Sequence, residues 1–543
     1  MSAQAAADAF ARALRAAGTR TVFGLPGGGN NLEVVGALGA HGIDFVLAHG
    51  ETAATIMAAA HADVTGLPSA VVVTRGPGAA SAVNGAAHAL LDRQPVLVLT
   101  DTVARADRAR ISHQLLDQVA MFAPATKGST ILRVADADEV MSGALALALA
   151  DPPGPVHVDF DPDAPLAALP SAVDHQVPGP DAEPIRALVG QAQRPVVLLG
   201  MGARAVTSQV RELLEGSEVP VLTTYRAKGV VPDRWPNHAG LLTGATAESE
   251  VLDAADIIVA IGVDTVELIP AHWPYSAPVV SLSSWLDPAS YLPTSHTVVG
   301  DLGVLVGELR GCLGGDWPAG SGQRFRRRGM DLLLRTPEQV RGVTPQELVR
   351  RVRALAPKNA IATVDAGAHM LVVLPLWDAE HKDEVIVSSG LATMGFALPA
   401  AIGAATARPG RRVVCFVGDG GLGMVLAELE TLCRLQLPVT VVVFNDSRLS
   451  LIAVKQSSAR HGGEGAVAYR EIDFAQVSAG FGLPAEVVRL DDELDDAIKA
   501  TLFAHGPALL DARVDPGCYP MVLDAIRGPR ERPVIEVAAR ADG

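Results

Sequence analysis

The chain has 543 residues, more than one core usually organises, so two or three domains are expected. Hydrophobic residues make up 49% of it and aromatics only 4%, which suits Ala/Val/Leu-rich α/β layers rather than an aromatic-rich β-sandwich. A formal net charge of −16 gives no basic footprint for nucleic acid or anionic lipid, leaving small-molecule chemistry as the default.

The first stretch, "MSAQAAADAFARALRAAGTRTVFGLPG", carries Arg12, Arg15 and Arg20 within its apolar pattern and reads as an amphipathic helix entering a strand, not as a signal peptide. "LPGGGNN", Leu25 to Asn31, follows as a strand-to-helix turn, and "AHGETAATIM" places Glu51 at an apolar helix start. Short Val/Ile/Leu runs then alternate with Ala-rich helical stretches: "SAVVVT" before Arg75, "QPVLVLT" before Asp101, "PVVLLG" before Met201, "IIVAIG" before Val263 and "VTVVVFN" before Asp446. Near-continuous apolar strands joined by helices indicate parallel sheets covered on both faces.

Two stretches break the alternation. Ala167 to Pro184 is rich in Pro and Asp, and Gly314 to Gly329 mixes glycine with the basic run Arg324 to Arg328. Taken as linkers, they cut an α/β chain into domains over 1–166, 185–313 and 340–527. The basic run reads as a solvated helix start, since its charges can all be hydrated. "LLGMGARAV", Leu198 to Val206, is Rossmann-like but lacks GxGxxG. Cys312, Cys415, Cys433 and Cys518 show no CxxC spacing and read as reduced thiols. No uncharged apolar run reaches the roughly 18 residues of a membrane span. A soluble cytoplasmic protein is expected.

The richest signal lies in "RRVVCFVGDGGLGMVLAELETLCRLQLPVTVVVFNDSRLSLI", Arg411 to Ile452. Two apolar strands each stop on a carboxylate, Asp419 and Asp446. Loops after parallel strands gather at the carboxyl edge of the sheet, so both side chains are placed to meet one ion. Gly418, Gly420 and Gly421 let the chain turn tightly and aim N–H groups, with a helix dipole behind them, at an anion. Two oxygen ligands beside a diphosphate suit Mg²⁺. A lone "GDG" would be an ordinary helix N-cap; the second carboxylate shifts the reading.

This arrangement resembles the diphosphate-and-metal motif of thiamin-diphosphate-dependent enzymes. "VSSGLATMGFALPAAIGAA" (Val387 to Ala405), "AHGETAATIMAAAHADVTG" (Ala48 to Gly66), "TRGPGAASAVNGAAHALLDRQPVLVLT" (Thr74 to Thr100) and "TTYRAKGVVPDRWPNHAGLL" (Thr223 to Leu242) resemble the domains of acetohydroxyacid synthase and its relatives, in the same order. The resemblance implies three domains (pyrimidine-binding, middle and diphosphate-binding), thiamin diphosphate as cofactor, and Mg²⁺ held by Asp419, Asp446 and the backbone of Arg448. The family usually has "NN" at the second ligand, so Asp446 is a departure, though chemically at least as good for Mg²⁺.

By the same resemblance, Glu51 hydrogen-bonds the aminopyrimidine N1′ and favours the tautomer that accepts the thiazolium C2 proton. Met394 wedges under the cofactor, Gly28 offers an N–H near the thiazolium, and His369 lies by the aminopyrimidine, with Ala368 where the family has glutamine. In "SHQLLDQ" Gln114 reaches the pocket, whereas His113 reads equally as a surface-loop histidine. Lys455 stands where the synthases carry a substrate-selecting tryptophan, and holding an anionic substrate group is set against plain solvent exposure and against a rotated helix. FAD in the middle domain is left open.

The expected function is decarboxylation of a 2-oxo acid with carboligation to an acceptor, in a homodimer or homotetramer whose active sites lie between subunits. A non-ligating decarboxylase resembling benzoylformate decarboxylase is the alternative. A non-catalytic nucleotide-binding protein is a third reading, which Glu51 and the paired aspartates disfavour.

Overall fold

A computed structural model describes residues 3–103, 107, 110–164, 182–244, 246–268, 273–287, 292–459 and 463–528. Most of the Ala167 to Pro184 segment read as a linker lies outside the described residues. Three six-stranded sheets are present, all of parallel pairs. The first contains β1 (Thr21–Leu25), β2 (Asp44–Leu47), β3 (Ser69–Val73), β4 (Val96–Asp101), β5 (Ser129–Leu132) and β6 (Val156–Phe160), in the order β2-β1-β3-β4-β6-β5. The middle sheet contains β7 (Pro195–Leu199), β8 (Val221–Thr223), β9 (His238–Leu241), β10 (Ile257–Ile261), β11 (Val279–Ser283) and β12 (Thr294–Val299), ordered β12-β11-β10-β7-β8-β9. The third contains β13 (Ile361–Val364), β14 (Val385–Val387), β15 (Val413–Gly418), β16 (Val439–Asn445), β17 (Ala485–Val488) and β18 (Ala508–Arg513), ordered β14-β13-β15-β16-β18-β17.

Counted from its own first strand, the third sheet repeats the order of the first. Each reverses direction between its first and third strands, β1 and β3 in one, β13 and β15 in the other. Loops leaving those strand pairs diverge and open a crevice at the carboxyl edge, the usual place for a ligand. The middle sheet reverses between β7 and β10. Every residue of β3, β7, β10 and β16 is buried, which is why their sequences are apolar without alternation.

The chain forms two compact units. One joins the first and third sheets, from 1–176, 341–377 and 383–516; the other holds the middle sheet, from 177–340, 378–382 and 517–543. The basic run Arg324 to Arg328, read as part of a linker, lies within the helix Ser321–Leu333. Phe325, Gly329 and Leu333, four residues apart, turn one face of that helix inward, while Arg326 pairs with Asp378 and Arg328 with Glu250.

Within the first unit, the helix that begins at Glu51 (Glu51–Thr65) is buried almost all round. It is clasped between the helices Pro77–Leu91 and Ala397–Ala407. Alanine and glycine make this close approach possible. A Cβ at Gly85 would lie 2.4 Å from Thr55 Cβ, and one at Gly403 would lie 2.2 Å from the Met57 carbonyl oxygen. Backbone cannot yield as a flexible side chain can, so Gly403→Ala is expected to lower stability by about 1–3 kcal/mol. Gly36→Ala, at an exposed position of the helix Asn31–Ala40 where an added Cβ meets no atom within 4 Å, is expected to raise it by about 0.5–1 kcal/mol. Urea denaturation of both variants checks the pair.

Candidate active site

The strand β15 ends at Gly418, and Asp419 opens the short helix Asp419–Met424. Gly418 lies opposite Phe444 in the register of β15 with β16, so Asp419 and Asp446 leave neighbouring strands side by side. The Asp419 carboxylate accepts hydrogen bonds from the N–H groups of Gly420 (2.6 Å) and Arg448 (3.2 Å). That of Asp446 accepts one from the Ser450 hydroxyl at 2.5 Å. Burial raises the Asp419 pKa against these N–H donors. Burial pushes Asp446 up to about 7, with the Ser450 hydroxyl opposing and the like charge of Asp419 adding. The connecting turn is tight: Ser447 has φ +58, its carbonyl accepts from Tyr469 N–H at 2.7 Å, and Arg448 bridges to Ala468. Among the described residues no group of three or more His, Cys, Asp or Glu side chains is arranged to hold a metal. Two carboxylates and a backbone carbonyl suit Mg²⁺, which completes its shell with phosphate oxygens and water.

The glycines beside this pair are tightly packed, and Gly421 has no room for a side chain. A Cβ at Gly420 would lie 3.0 Å from Leu449 Cδ2, 3.2 Å from Tyr469 Cε2 and 3.5 Å from Met394 Cε. At Gly421 it would lie 2.4 Å from Asp365 Oδ2, and at Gly418 3.3 Å from the His369 ring. His369 is buried, stacks on Phe444 with centroids 5.2 Å apart, and is kept neutral by burial, which lowers its pKa to about 3. Its Nε2 is buried without a hydrogen-bond partner. An orphaned polar atom, a tight glycine loop and a carboxylate pair fit a bound diphosphate with its metal.

Asp365 was not singled out in the sequence. It is the residue after β13, and its carboxylate accepts from the N–H groups of Ala366 (2.8 Å), Gly395 (3.0 Å) and Phe396 (3.3 Å). It thereby holds the turn after the half-buried Met394 to the end of β13. Burial pushes its pKa up to about 7 against those donors. The available signal was its position: "IATVD" is another apolar strand that stops on a carboxylate, as β4 does at Asp101.

The remaining candidates lie at the first sheet's edge, except Lys455. Glu51 is the first residue of its helix, half-buried, and its Oε1 lies 3.1 Å from where a Cβ at Gly78 would stand. Gly28 is exposed after β1, with no atom within 4 Å of an added Cβ. His113 and Gln114 are exposed in a turn, Gln114 with φ +57 and packed against Gly76. In the same segment Gln118 is the buried amide: it accepts from Gly76 N–H at 2.9 Å and donates to Asp159 at 2.7 Å. Lys455 is exposed on the helix Ser450–Ala459. Asp419, Asp446, Arg448, His369, Met394 and the three glycines thus gather at one sheet edge, and Glu51 stands at another.

A flavin would use the switch point of the middle sheet, between β7 and β10. There Gly200 N–H donates to the Ile261 carbonyl and Gly202 N–H to the Gly262 carbonyl, closing backbone on backbone. The N–H groups of Met201 (2.7 Å) and Asp264 (3.3 Å) donate to the Glu267 carboxyl, which also accepts from the Thr224 hydroxyl. Among the described residues, these donors, the kind a pyrophosphate would take, are occupied by Glu267. Burial pushes Glu267 up to about 7. A carboxyl raised above its unfolded value stabilises the fold fully below about pH 4.5, and that stability is lost as pH rises through about 7. Glu267→Gln keeps an oxygen for the two N–H groups, so its stability relative to wild type should rise by on the order of 3 kcal/mol between pH 4.5 and 8. Urea titrations across that range test this; parallel curves would contradict it.

Family models match three parts of the chain: "Thiamine pyrophosphate enzyme, N-terminal TPP binding domain" over 4–121, the central domain over 183–308, and the "C-terminal TPP binding domain" over 365–512. The acetolactate synthase of Bacillus subtilis (strain 168) is 30% identical over 527 residues, covering 92% of this chain and 91% of that protein. The acetolactate synthase isozyme 2 large subunit of Escherichia coli (strain K12) is 30% identical over 93% of this chain and 94% of its own length. A probable acetolactate synthase large subunit of Methanocaldococcus jannaschii is 27% identical over 95% and 93%. With the glycine cradle and carboxylate pair falling inside the C-terminal match and Glu51 inside the N-terminal one, the chain belongs to the thiamine pyrophosphate (thiamin diphosphate) enzyme family, as an acetolactate-synthase-like member.

Proposed function

We propose that the protein is a thiamin-diphosphate- and Mg²⁺-dependent carboligase that decarboxylates a 2-oxo acid and joins the remainder to an acceptor. The observation that carries this reading is the Asp419–Asp446 pair, Asp419 buried and Asp446 half-buried, beside a tight glycine loop in which a side chain at Gly421 would strike Asp365. Bound thiamin diphosphate supplies an electron sink for breaking the bond between a carbonyl and its carboxylate. The chain's own residues do the rest. Asp419, Asp446 and the Arg448 carbonyl would hold Mg²⁺, and Met394 would support the cofactor. Glu51, at the N-terminus of a rigidly clasped helix, shares a proton with the aminopyrimidine N1′. His369 lines the aminopyrimidine side. The Gly28 N–H, the exposed Gln114 and His113 face the reacting carbonyl.

Glu51 and the metal pair stand at the edges of different sheets, which supports a homodimer or homotetramer in which two chains complete each site. The middle sheet does without flavin, its donors taken by Glu267. No helix among the described residues is long and apolar enough to cross a membrane, in keeping with a cytoplasmic enzyme. Ligation is favoured over simple decarboxylation because the relatives carry the name acetolactate synthase. Lys455 supplies a cation that selects an anionic group on donor or acceptor.

A panel of 2-oxo acids, with products separated into hydroxyketones and aldehydes, tests the reading. Hydroxyketones are expected to dominate; aldehydes alone would assign a decarboxylase. Glu51→Gln should slow turnover by roughly a hundredfold or more while thiamin diphosphate still binds. Lys455→Met should cost charged substrates about ten- to a hundredfold in kcat/KM and leave apolar ones unchanged. Equal effects on both substrate classes would remove Lys455 from the site.

A further inference from the structure

The helix that presents Glu51 begins on a residue with no side chain. Gly50 is its N-cap, so the polypeptide that leads into Glu51 lacks the local Ser, Thr, Asp or Asn that usually satisfies N–H groups at a helix start. The acceptor comes from 378 residues away. Glu428, the first residue of the helix Glu428–Arg434 in the third sheet's layer, is buried, and its Oε1 accepts from His49 N–H at 3.0 Å and Gly50 N–H at 3.1 Å. Its other oxygen accepts from the Thr431 hydroxyl at 2.8 Å, which leaves the carboxylate no second orientation. A negative charge at this place also complements the dipole of the Glu51 helix.

The same helix grips the loop twice more. Glu430 Oε2 lies 2.7 Å from His49 Nε2, and Arg434 Nη2 donates to the Leu47 carbonyl at 2.5 Å while pairing with Glu430 at 3.1 Å. Leu47 to Gly50 is therefore held by three side chains of one helix, and the next residue is Glu51. These outer contacts are half-exposed and worth little individually. The contact at Glu428 is buried, charge-assisted and shared by two backbone donors, so it dominates.

The geometry points to Glu428 as a positioning residue for Glu51: by fixing the two peptide N–H groups immediately before it, Glu428 sets where the Glu51 carboxylate stands. This rests on the proton-sharing role proposed for Glu51. Glu428 touches neither substrate nor cofactor. Its effect is geometric, and a displacement of about 1 Å at a reacting group can cost about a hundredfold in rate.

Two measurements test it. In the protein without ligand, Glu428→Ala should speed amide hydrogen exchange at residues 48–54 by roughly ten- to a hundredfold, with Ala58 to Ala62 in the same helix unchanged. In the protein loaded with thiamin diphosphate and Mg²⁺, exchange of the cofactor's C2 proton should slow about ten- to a hundredfold in Glu428→Ala. It should return close to the wild-type rate in Glu428→Gln, whose amide oxygen can accept from both N–H groups while its NH₂ faces the Thr431 hydroxyl. If the alanine variant does not fold, Thr431→Val, which frees the Glu428 carboxylate, should show the same two changes more weakly. Wild-type exchange at both readouts, or a loss of protection spread evenly over the chain, would overturn the inference. Faster loop exchange with an unchanged C2 rate overturns the positioning role when Glu51→Gln slows C2 exchange; when Glu51→Gln also leaves it unchanged, what fails is the role proposed for Glu51.

Discussion

Two carboxylates brought side by side at the ends of adjacent strands, partly shielded from water, are unfavourable on their own, and much of the third sheet is arranged around that fact. Asp419 and Asp446 are close enough for the charge of one to raise the pKa of the other; Asp419 is buried and Asp446 half-buried. The folded chain offsets part of this with N–H groups from Gly420 and Arg448 and with the Ser450 hydroxyl. A divalent cation would offset the rest. The three glycines, the strained turn at Ser447 and the unpartnered His369 Nε2 then read as parts of one anion-and-metal cradle.

What holds that cradle comes from residues distant in sequence. Asp365 ties the turn after Met394 to the end of β13 through the N–H groups of Gly395 and Phe396, and Gly421 must lack a side chain because Asp365 stands where one would go. Glu428 performs a comparable task for the loop before Glu51. Glu267 does so in the middle sheet, where it latches the loops after β7 and β10. Each is a buried carboxyl satisfied chiefly by main-chain donors. Such groups are expensive to bury and therefore rigid once satisfied.

Legibility in the sequence divides along the same line. The strands β3, β4, β7, β10 and β16 were legible as apolar runs because residues buried on both faces of a parallel sheet carry no alternation. Asp419 and Asp446 stood out because each terminates such a run beside glycine or asparagine, and Glu51 through the resemblance of its segment to the family, since a carboxylate at a helix start is ordinary by itself. Asp365 was missed although it ends a strand in the same way, since no glycine pair follows it directly. Glu428 and Glu267 were invisible because their meaning lies in which backbone packs across from them, hundreds or tens of residues away. Within "SHQLLDQ", sequence could not separate the exposed Gln114 from the buried Gln118. The basic run Arg324 to Arg328 does lie near the start of a helix, as read, but its charges hid the inward face made by Phe325, Gly329 and Leu333.

The central claim is that Asp419 and Asp446 form a metal site completed by a diphosphate. Calorimetric titration of the protein with Mg²⁺, run with thiamin diphosphate present, with thiamin alone and with neither, addresses it most directly. The account predicts tight Mg²⁺ binding only with the diphosphate, and reciprocally a diphosphate affinity that collapses when the metal is chelated. Mg²⁺ binding equally well with thiamin, or thiamin diphosphate binding undiminished without any divalent ion, would contradict it.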